Sequence, residues 1–510
     1  MENSAENAVW GESLLTASDF PDPDVIRVGD AYFLASTTMH FSPGCAFLRS
    51  YDLIHWEWCG HLYAALDETD ARGLKNGKNC YGKGMWAPSL RWHQGEYFVC
   101  FAVADLGRTR IYRTRDLENG PWEKIELPGL YYDPSLFFDA DGKAYIIHGN
   151  GTVRLTELNR SLTGPQERGL DRVLVSTGPT RHLGYEGSHF YRVGDRYYLF
   201  TIHSLPDRWR RVESCFCADS LDGEFSGGIL FNDDLGYHDQ GIAQGGIVDT
   251  PDGRWYAVFF QDRGAVGRIP VLLPLKWKCG LPAIGVQGKA VAEISNATTR
   301  PGYAYAPLAA SDAFDSPVLL PQWEWNHTPD ESLFETGKGY LKLTAGRVDA
   351  SLTAARNTLT VRGTYPGTEV TVRVDGSALL PGDRAGLCAL QYGWSAVALL
   401  RTADGFQLAL LDNESDPEGE TVSAALPFGP KARLRAVFHF ADMRDTVCYF
   451  YWDGDMWQAL GAPKKMRFDL RHFAGARPGL FCYATKKPGG EARFDAFTYR
   501  VLEEEGKTDA

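Results

Sequence analysis

Five copies of one hairpin pattern occupy the first half of this 510-residue chain. Each copy has a short apolar run, a turn with Gly and usually Asp, and a second apolar run that an aromatic residue leads. The turn glycines are Gly29, Gly95, Gly142, Gly194 and Gly253. Each interval is long enough for one four-stranded blade, and such a repeat is typical of a β-propeller, whose blades close around an axis. The pattern therefore predicts an all-β fold that begins with a five-bladed β-propeller.

Composition narrows the classes of partner. The net charge of −13 argues against nucleic acid and against anionic membrane surfaces. No stretch approaches the roughly 20 apolar residues of a membrane span. Aromatic residues make up 13% of the chain, which suits β-structure and also suits binding of sugar rings, although packing alone accounts for many of them.

The N-terminal segment bears on the compartment. Residues 1–8 show no basic region followed by an apolar core, so they do not form a secretory signal. We therefore expect a cytoplasmic protein, or an extracellular one if a signal has been removed. The ten cysteines are scattered, and the Cys215–Cys217 pair has no second pair at metal-site spacing, so no zinc site is expected. A homo-oligomer is left open.

The second half of the chain has a different style. Residues 284–311 lose the repeat and are rich in Gly, Pro and Asn, as a linker is. After them Val370, Val372 and Val374 alternate with polar residues, and Asp404-Gly405 and Asp453-Gly454 separate apolar runs as hairpin turns do. No long helical pattern is present. The predicted domains are a propeller in residues 1–300 and a β-sandwich in residues 311–510.

Three carboxylates stand at equivalent places in the repeat. Asp22 in Phe-Pro-Asp-Pro-Asp, Asp133 in Tyr-Tyr-Asp-Pro-Ser and Glu186 in Gly-Tyr-Glu-Gly-Ser-His each directly precede a blade's first hairpin. Trp86 has the same place in blade two. In a propeller these positions line the axis, so the three acids should meet in one pocket. A single Asp-Pro can be only a turn whose Asp caps its own backbone, but three corresponding positions favour a shared function.

Converging carboxylates suit the hydrolysis of glycosidic bonds. One carboxylate must be deprotonated to activate water, and one must be protonated to donate to the leaving oxygen. A third can raise the pKa of the acid by like-charge repulsion. The sequence therefore predicts a glycoside hydrolase.

The ordered motifs resemble a known family. Pro-Asp-Pro, Trp-Ala-Pro, Asp-Pro-Ser-Leu-Phe-Phe-Asp and Glu-Gly-Ser-His-Phe together resemble glycoside hydrolase family 43, which has a five-bladed propeller and inverts the anomeric centre. The second half is similar to the concanavalin-like jelly roll that follows the propeller in many β-xylosidases and arabinofuranosidases of the family. The segments that carry this second resemblance are 322–327, 339–343 and 355–360.

The resemblance implies a role for each acid and for two neighbours. Asp22 would be the general base, Glu186 the general acid, and Asp133 the residue that tunes the pKa of Glu186 and orients it. Arg268 would reach the substrate hydroxyls or Asp133, the alternative being a salt bridge on a solvated strand. Trp86 would form a wall of the subsite for the released sugar, the alternative being a packing role.

Three further residues are substrate-site candidates by the same resemblance. Phe41 would form another wall, and His40 would be a hydrogen-bonded pocket residue. Many family members have a histidine at the start of the fifth blade that helps to hold a central calcium ion, and Gln244 stands there instead. Glutamine can offer a carbonyl oxygen to calcium but no imidazole. A central calcium ion is thus left open, no metal ligand is assigned, and the acid–base chemistry requires no cofactor.

The expected activity is exo-acting release of terminal pentose from oligosaccharides of arabinoxylan or arabinan. The stretches 243–250 and 260–268 look most like the branch rich in α-L-arabinofuranosidases, which we favour over a β-D-xylosidase or a bifunctional enzyme. A loop from the sandwich can close one end of the pocket. A non-catalytic carbohydrate-binding propeller is the alternative of a different class, and the presence of all three acids argues against it. The Asn-Asp-Pro-Asn motif of retaining fructan-acting propellers is absent.

Overall fold

The computed structural model describes residues 8–178, 182–415 and 419–503. Residues 1–7, which carry most of the compartment prediction, lie outside the described part. The described chain is built from strands, and its helical segments are short 3-10 turns: Gly264–Val266, Glu331–Leu333, Leu352–Ala354 and Ala441–Met443. None of these described helices has the length and apolar character needed to cross a bilayer.

Strand β1 (Ala8–Glu12) precedes five four-stranded sheets. The strands of blades one to three are β2 (Asp24–Val28), β3 (Ala31–Ser36), β4 (Gly44–Ser50) and β5 (Glu57–Tyr63); β6 (Met85–His93), β7 (Glu96–Val103), β8 (Arg108–Thr114) and β9 (Glu123–Leu127); and β10 (Ser135–Phe138), β11 (Ala144–His148), β12 (Thr152–Leu158) and β13 (Asp171–Ser176). Those of blades four and five are β14 (Glu186–Val193), β15 (Arg196–Ser204), β16 (Arg211–Ala218) and β17 (Ser226–Phe231); and β18 (Ala243–Asp249), β19 (Trp255–Asp262), β20 (Arg268–Lys278) and β21 (Leu281–Ile284).

The predicted five-bladed propeller is confirmed. Each repeated hairpin forms the first two strands of one blade, and all strand pairs within the blades are antiparallel. The turn glycines have φ between 61° and 83°, and a Cβ added at any of them would meet nothing within 4 Å. The turn therefore requires glycine for its left-handed backbone and not for space.

Apolar faces between neighbouring blades close the ring. Val25 and Leu34 of blade one pack in one buried cluster with Val248 and Val258 of blade five. This contact joins the first blade to the last, so the burial of apolar surface stabilises the closed propeller.

A buried guanidinium occupies the axis. Arg91 on β6 donates to Asp24 Oδ2 of β2 at 2.5 Å and to Ser135 Oγ of β10 at 2.8 Å. Its guanidinium carbon lies 5.3 Å from the ring centroid of Tyr191 on β14. The Tyr191 hydroxyl in turn accepts the backbone N–H of Ile247 on β18 at 3.1 Å. The inner strands of all five blades are thus connected through one cation.

The predicted linker is partly structured. Within 284–311 lies β22 (Glu293–Ala297), which pairs antiparallel with β1. Its Asn296 donates through Nδ2 to the Asp52 carbonyl oxygen at 2.9 Å. Tyr303 and Tyr305 then pack against Tyr51 of blade one. The sequence shows no local hairpin pattern for β22, because its partner β1 lies at the other end of the propeller domain.

The C-terminal strands form two large sheets. The strands are β23 (Glu324–Trp325), β24 (Phe334–Glu335), β25 (Leu341–Thr344), β26 (Leu359–Thr360), β27 (Gly367–Ala378), β28 (Asp383–Leu390), β29 (Ser395–Arg401), β30 (Phe406–Asp412), β31 (Thr421–Phe428), β32 (Lys431–His439), β33 (Thr446–Trp452), β34 (Trp457–Ala459), β35 (Lys464–Lys465), β36 (Arg477–Ala484) and β37 (Glu491–Val501). One sheet has the order β23-β26-β36-β28-β29-β30-β31. The other has the order β24-β25-β37-β27-β32-β33-β34, with β35 beside β33.

The predicted β-sandwich is confirmed. Val370, Val372 and Val374 are buried in the core between the sheets. The two predicted hairpins are β29–β30 around Asp404-Gly405 and β33–β34 around Asp453-Gly454.

The propeller and the sandwich share a buried ion cluster. Glu324 on β23 binds Arg362 at 3.0 Å and also binds Arg477, and its Oε1 lies 3.1 Å from Nε2 of His61 on β5. All four groups are buried, so the second domain is fixed against blade one by interactions that need both partners.

Candidate active site

The three predicted acids lie at the starts of blades one, three and four. Asp22 precedes β2 by two residues, Asp133 precedes β10 by two residues, and Glu186 is the first residue of β14. Asp22 and Asp133 have positive φ, 52° and 44°. Each precedes a proline in the sequence, which restricts its backbone further. Non-glycine residues held in this region are strained, and such strain concentrates at functional sites.

Asp22 is ion-paired with Arg268, the first residue of β20. Arg268 Nη1 donates to Asp22 Oδ1 at 3.0 Å, and both side chains are buried. Asp19 fixes this arginine, because its Oδ1 accepts the Arg268 backbone N–H at 2.7 Å. Arg268 therefore lies in the site and not on a solvated strand.

Glu186 and Asp133 are linked through the backbone. Asp133 Oδ2 accepts the N–H of Gly187 at 3.1 Å, and Glu186 Oε2 accepts from Asn150 Nδ2 at 2.7 Å. Gly187 has φ of 62°, and a Cβ there would lie 2.7 Å from Gln244 Cδ, so the position requires glycine. The bulge of β14 thus places the two acids side by side.

Burial and repulsion set the proton affinity of this pair. Burial raises the pKa of Glu186 to about 7, the Arg211 guanidinium opposes the rise, and Asp22 adds to it. Burial, followed by the charges of Glu186 and Asp22, raises the pKa of Asp133 well above its ordinary value. Asp133 is held next to Glu186 through the Gly187 N–H, and the main cause of the raised pKa of Glu186 is burial and not repulsion.

Trp86 stands at the edge of a groove between the two domains. Its Nε1 donates to the Gly82 carbonyl oxygen at 3.1 Å, and its ring meets Tyr132 edge-on at 5.8 Å. The groove has a volume of about 670 Å³. Its walls include Tyr81, Lys83, Thr353, Tyr392 and Leu470. A half-buried indole at such an edge can contact a sugar ring.

Phe41 and His40 lie in the domain interface. Phe41 is 1% exposed, belongs to an apolar cluster of sandwich residues and lies under the guanidinium of Arg477 at 3.5 Å. His40 is buried against His327 and His472. Neither ring nitrogen of His40 has a hydrogen-bond partner among the described residues. His40 is therefore a buried residue of the domain interface, surrounded by sandwich side chains.

Gln244 is buried between blades four and five. Its backbone N–H donates to Glu213 Oε2 at 2.7 Å, and its side chain packs on Gly187. Calcium requires six to eight oxygen ligands. No group of three or more His, Cys, Asp or Glu in the described chain is spaced to hold a metal ion. A calcium ion at Gln244, which the sequence leaves open, would therefore have to be held by carbonyl oxygens and water.

Several residues of the site were not found from the sequence. Phe473 reaches it from the sandwich: its carbonyl oxygen accepts from Arg268 Nη2 at 3.3 Å, and its ring lies 4.4 Å from the guanidinium. Asp19 joins the same segment to the propeller, because its Oδ2 accepts the N–H of Gly475 at 2.7 Å. Arg211 and Asn150 lie beside Glu186. The Gly-Asn-Gly turn at Asn150 is the only local signal among them.

Comparison with known proteins identifies the family. The model of glycosyl hydrolases family 43 matches residues 15–282, which is just over half of the chain. The chain belongs to glycosyl hydrolase family 43. The β-xylosidase C-terminal concanavalin A-like domain matches residues 311–500 of this family 43 enzyme. The protein is therefore a glycoside hydrolase with the two-domain architecture expected from its motifs.

Relatives of this family 43 protein have two kinds of name. A β-xylosidase from Formosa agariphila is 26% identical over 97% of this chain and 92% of that protein. A non-reducing end α-L-arabinofuranosidase from Bacteroides ovatus is 28% identical over 62% of this chain and 60% of that protein. A solved structure from Bacteroides eggerthii, described as a bifunctional GH43-CE protein, has a TM-score of 0.90 and 37% identity. That alignment covers 97% of this chain and 64% of the longer protein.

Proposed function

We propose that this chain is an inverting, exo-acting pentosidase that releases terminal α-L-arabinofuranosyl residues from oligosaccharides of arabinoxylan or arabinan. The observation that carries the proposal is that Asp22, Asp133 and Glu186 lie at the starts of the first strands of three blades, where burial raises the pKa of Glu186 to about 7. A carboxyl group that keeps its proton near neutral pH can serve as a general acid.

Each acid has one task in the proposed reaction. Asp22 takes a proton from a water molecule as the water oxygen bonds to the anomeric carbon. Glu186 gives its proton to the glycosidic oxygen as the bond between that oxygen and the anomeric carbon breaks. Because water attacks from the face opposite the leaving group, the configuration inverts. Asp133 fixes the bulge that carries Glu186 through the Gly187 N–H and acts as a positioning residue.

Arg268 and Phe473 support an exo mode of attack. Arg268 holds Asp22 and can donate to sugar hydroxyls, while Phe473 of the sandwich covers the Arg268 guanidinium. Because this segment comes from the second domain, it closes one side of the site. A site closed at one end accepts a chain terminus more readily than the middle of a polymer.

A β-D-xylosidase, or an enzyme with both activities, is the second candidate. A relative that aligns with nearly the whole chain is named a β-xylosidase, which supports this candidate. The arabinofuranosidase from Bacteroides ovatus and the stretches 243–250 and 260–268 support the first. Neither candidate needs a cofactor.

The test compares kcat/KM of the full chain on the 4-nitrophenyl α-L-arabinofuranoside and β-D-xylopyranoside. We expect preference for the arabinoside, and preference for the xyloside would establish the second candidate. Proton NMR at early times should show the anomer opposite to that of the substrate, and retention would contradict the roles of Asp22 and Glu186. Absence of turnover on both glycosides and on the derived oligosaccharides would favour a non-catalytic carbohydrate-binding propeller.

A further inference from the structure

An alternating stack of rings and guanidinium groups crosses the site. From the sandwich outward, the ring of Phe473 lies 4.4 Å from the Arg268 guanidinium, which lies 5.5 Å from the ring of Phe260. The Arg211 guanidinium also lies over the Phe260 ring, 5.4 Å from its centroid. Trp209 ends the stack, 5.7 Å from Arg211. Phe260 is buried, whereas Trp209 is 49% exposed, so the stack runs from the interior to the rim.

Arg211 places the outer part of this stack beside the proposed acid. Its guanidinium is ion-paired with Asp262, is almost buried, and exerts the main opposing charge on Glu186. The inner part of the stack lies beside Asp22. The inner end of the stack, beside Asp22, therefore lies on the side of the anomeric carbon, where the base acts. The outer end, beside Glu186, lies on the side of the leaving oxygen, where the acid acts.

The loop that carries Trp209 is fixed by the two arginines next to it, Arg208 and Arg210. Arg210 donates to Asn232 at 2.7 Å and binds Asp239, and Arg208 binds Asp239 at 3.1 Å. The Leu205 N–H donates to the Arg210 carbonyl oxygen at 2.9 Å, and this hydrogen bond joins the two ends of the loop. The two arginines that flank Trp209 are thus used in fixing the loop, and the indole stays exposed at the rim. A ring held in place before binding loses little entropy when a ligand stacks on it.

We infer that Trp209, supported by Arg211, is the platform for the leaving-group sugar. This inference rests on the proposed function, since it takes Glu186 as the proton donor. The ligand is the neutral sugar ring of the oligosaccharide that remains after the terminal pentose is cleaved. The apolar face of such a ring packs on the indole, and Arg211, which keeps its charge in the site, can donate to a hydroxyl of the same sugar.

The experiment compares two substrates that share the released pentose. One is a pentosyl oligosaccharide with a sugar leaving group, and the other is the corresponding pentosyl fluoride, whose leaving group has no ring. We expect Trp209→Ala to lower the ratio of kcat/KM, oligosaccharide over fluoride, by about tenfold, which corresponds to about 1.4 kcal/mol of lost contact. Trp209→Phe should recover most of that ratio because it restores an aromatic face.

Trp10→Ala is the matched control, because Trp10 is 69% exposed on β1 in the two-stranded sheet outside the blades. The ratio should be the same in this variant and the wild type. An unchanged ratio in Trp209→Ala would overturn the inference, whether both rates are normal or both fall together. If the wild type hydrolyses neither substrate, the proposed function is wrong, and the role of Trp209 that rests on it is wrong too. This outcome is distinguishable from failure of the Trp209 role alone, because it is seen in the wild type without any variant.

Discussion

At the residue scale, the protonation of Glu186 should limit activity on the alkaline side. Its pKa is raised to about 7, so the acid form is abundant below pH 7 and is lost above it. We expect kcat/KM on substrates with a sugar leaving group to fall as the pH rises through about 7. Substrates whose leaving group needs no proton, such as a pentosyl fluoride, should lack this alkaline limb. A pH profile on both substrates is the measurement.

Substitution of the same residue gives a second prediction. Glu186→Gln keeps the shape and the Asn150 contact but holds no transferable proton, so activity on a natural glycoside should fall by about 10²- to 10⁴-fold. Glu157→Gln is a matched control, because Glu157 is also buried and binds a backbone N–H, that of Leu170, in blade three. Equal activity of Glu186→Gln and Glu157→Gln on a disaccharide would remove Glu186 from the acid role.

At the element scale, the blade hairpins could be predicted because their signal is local. A turn glycine with positive φ and two apolar strands lie within about a dozen residues, and the acids precede the same hairpins. Phe473 and Asp19 could not be found in this way. Phe473 meets Arg268 across 205 residues, and Asp19 meets Gly475 across 456 residues. Such contacts depend on how the sandwich packs against the propeller, and no repeated pattern in the sequence predicts that packing.

The guanidinium of Arg91 at the propeller axis allows a test of what stabilises the closed ring of blades. Arg91 and Asp24 are an ion pair with side-chain exposures of 12% and 0%. Removing the arginine leaves the buried Asp24 carboxylate without its guanidinium partner, so Arg91→Met should lower the free energy of unfolding by about 3–5 kcal/mol. Urea denaturation followed by tryptophan fluorescence would measure the loss.

Arg27→Met is the control for Arg91→Met. Arg27 also joins blade one to another blade, through Asp249 of blade five at 2.5 Å, but the two side chains are 26% and 39% exposed. An ion pair in contact with solvent contributes little, so this variant should lose less than about 1 kcal/mol. Equal losses in the two variants would mean that the axial position of Arg91 has no special part in closure.

At the scale of the whole molecule, three buried histidines lie where the domains meet. His40 comes from the propeller, His327 and His472 come from the sandwich, and the His40 ring lies 4.7 and 5.0 Å from the other two. The His327 ring is fixed on both sides, since Nε2 accepts the Cys80 N–H at 3.1 Å and Nδ1 lies 3.0 Å from the Asn326 oxygen. Burial is the main cause that depresses all three pKa values, that of His472 to about 3.

These pKa values predict acid sensitivity of the domain interface. An unfolded histidine takes up a proton below about pH 6.5, whereas the folded ones stay neutral until much lower pH. The unfolded state therefore binds more protons, and stability falls as the pH drops below 6.5, by about 1.4 kcal/mol per pH unit for each histidine well below that value. Arg477, which faces His40 and His472, opposes their protonation, and Asp469 favours that of His472 without reversing the shift.

A single substitution separates this cause from general acid denaturation. His40→Phe keeps an aromatic ring between Phe41 and Tyr81 and removes one titrating group whose nitrogens make no hydrogen bond within the described chain. Between pH 6 and pH 4.5 its stability should fall less steeply than that of the wild type, by up to about 1.4 kcal/mol per pH unit. Urea midpoints measured across this range test the difference in slope. Parallel plots of stability against pH for the variant and the wild type would show that His40 takes up its proton equally in the folded and unfolded states. The interface would then lose stability in acid for another reason, such as protonation of Glu324 in the buried ion cluster.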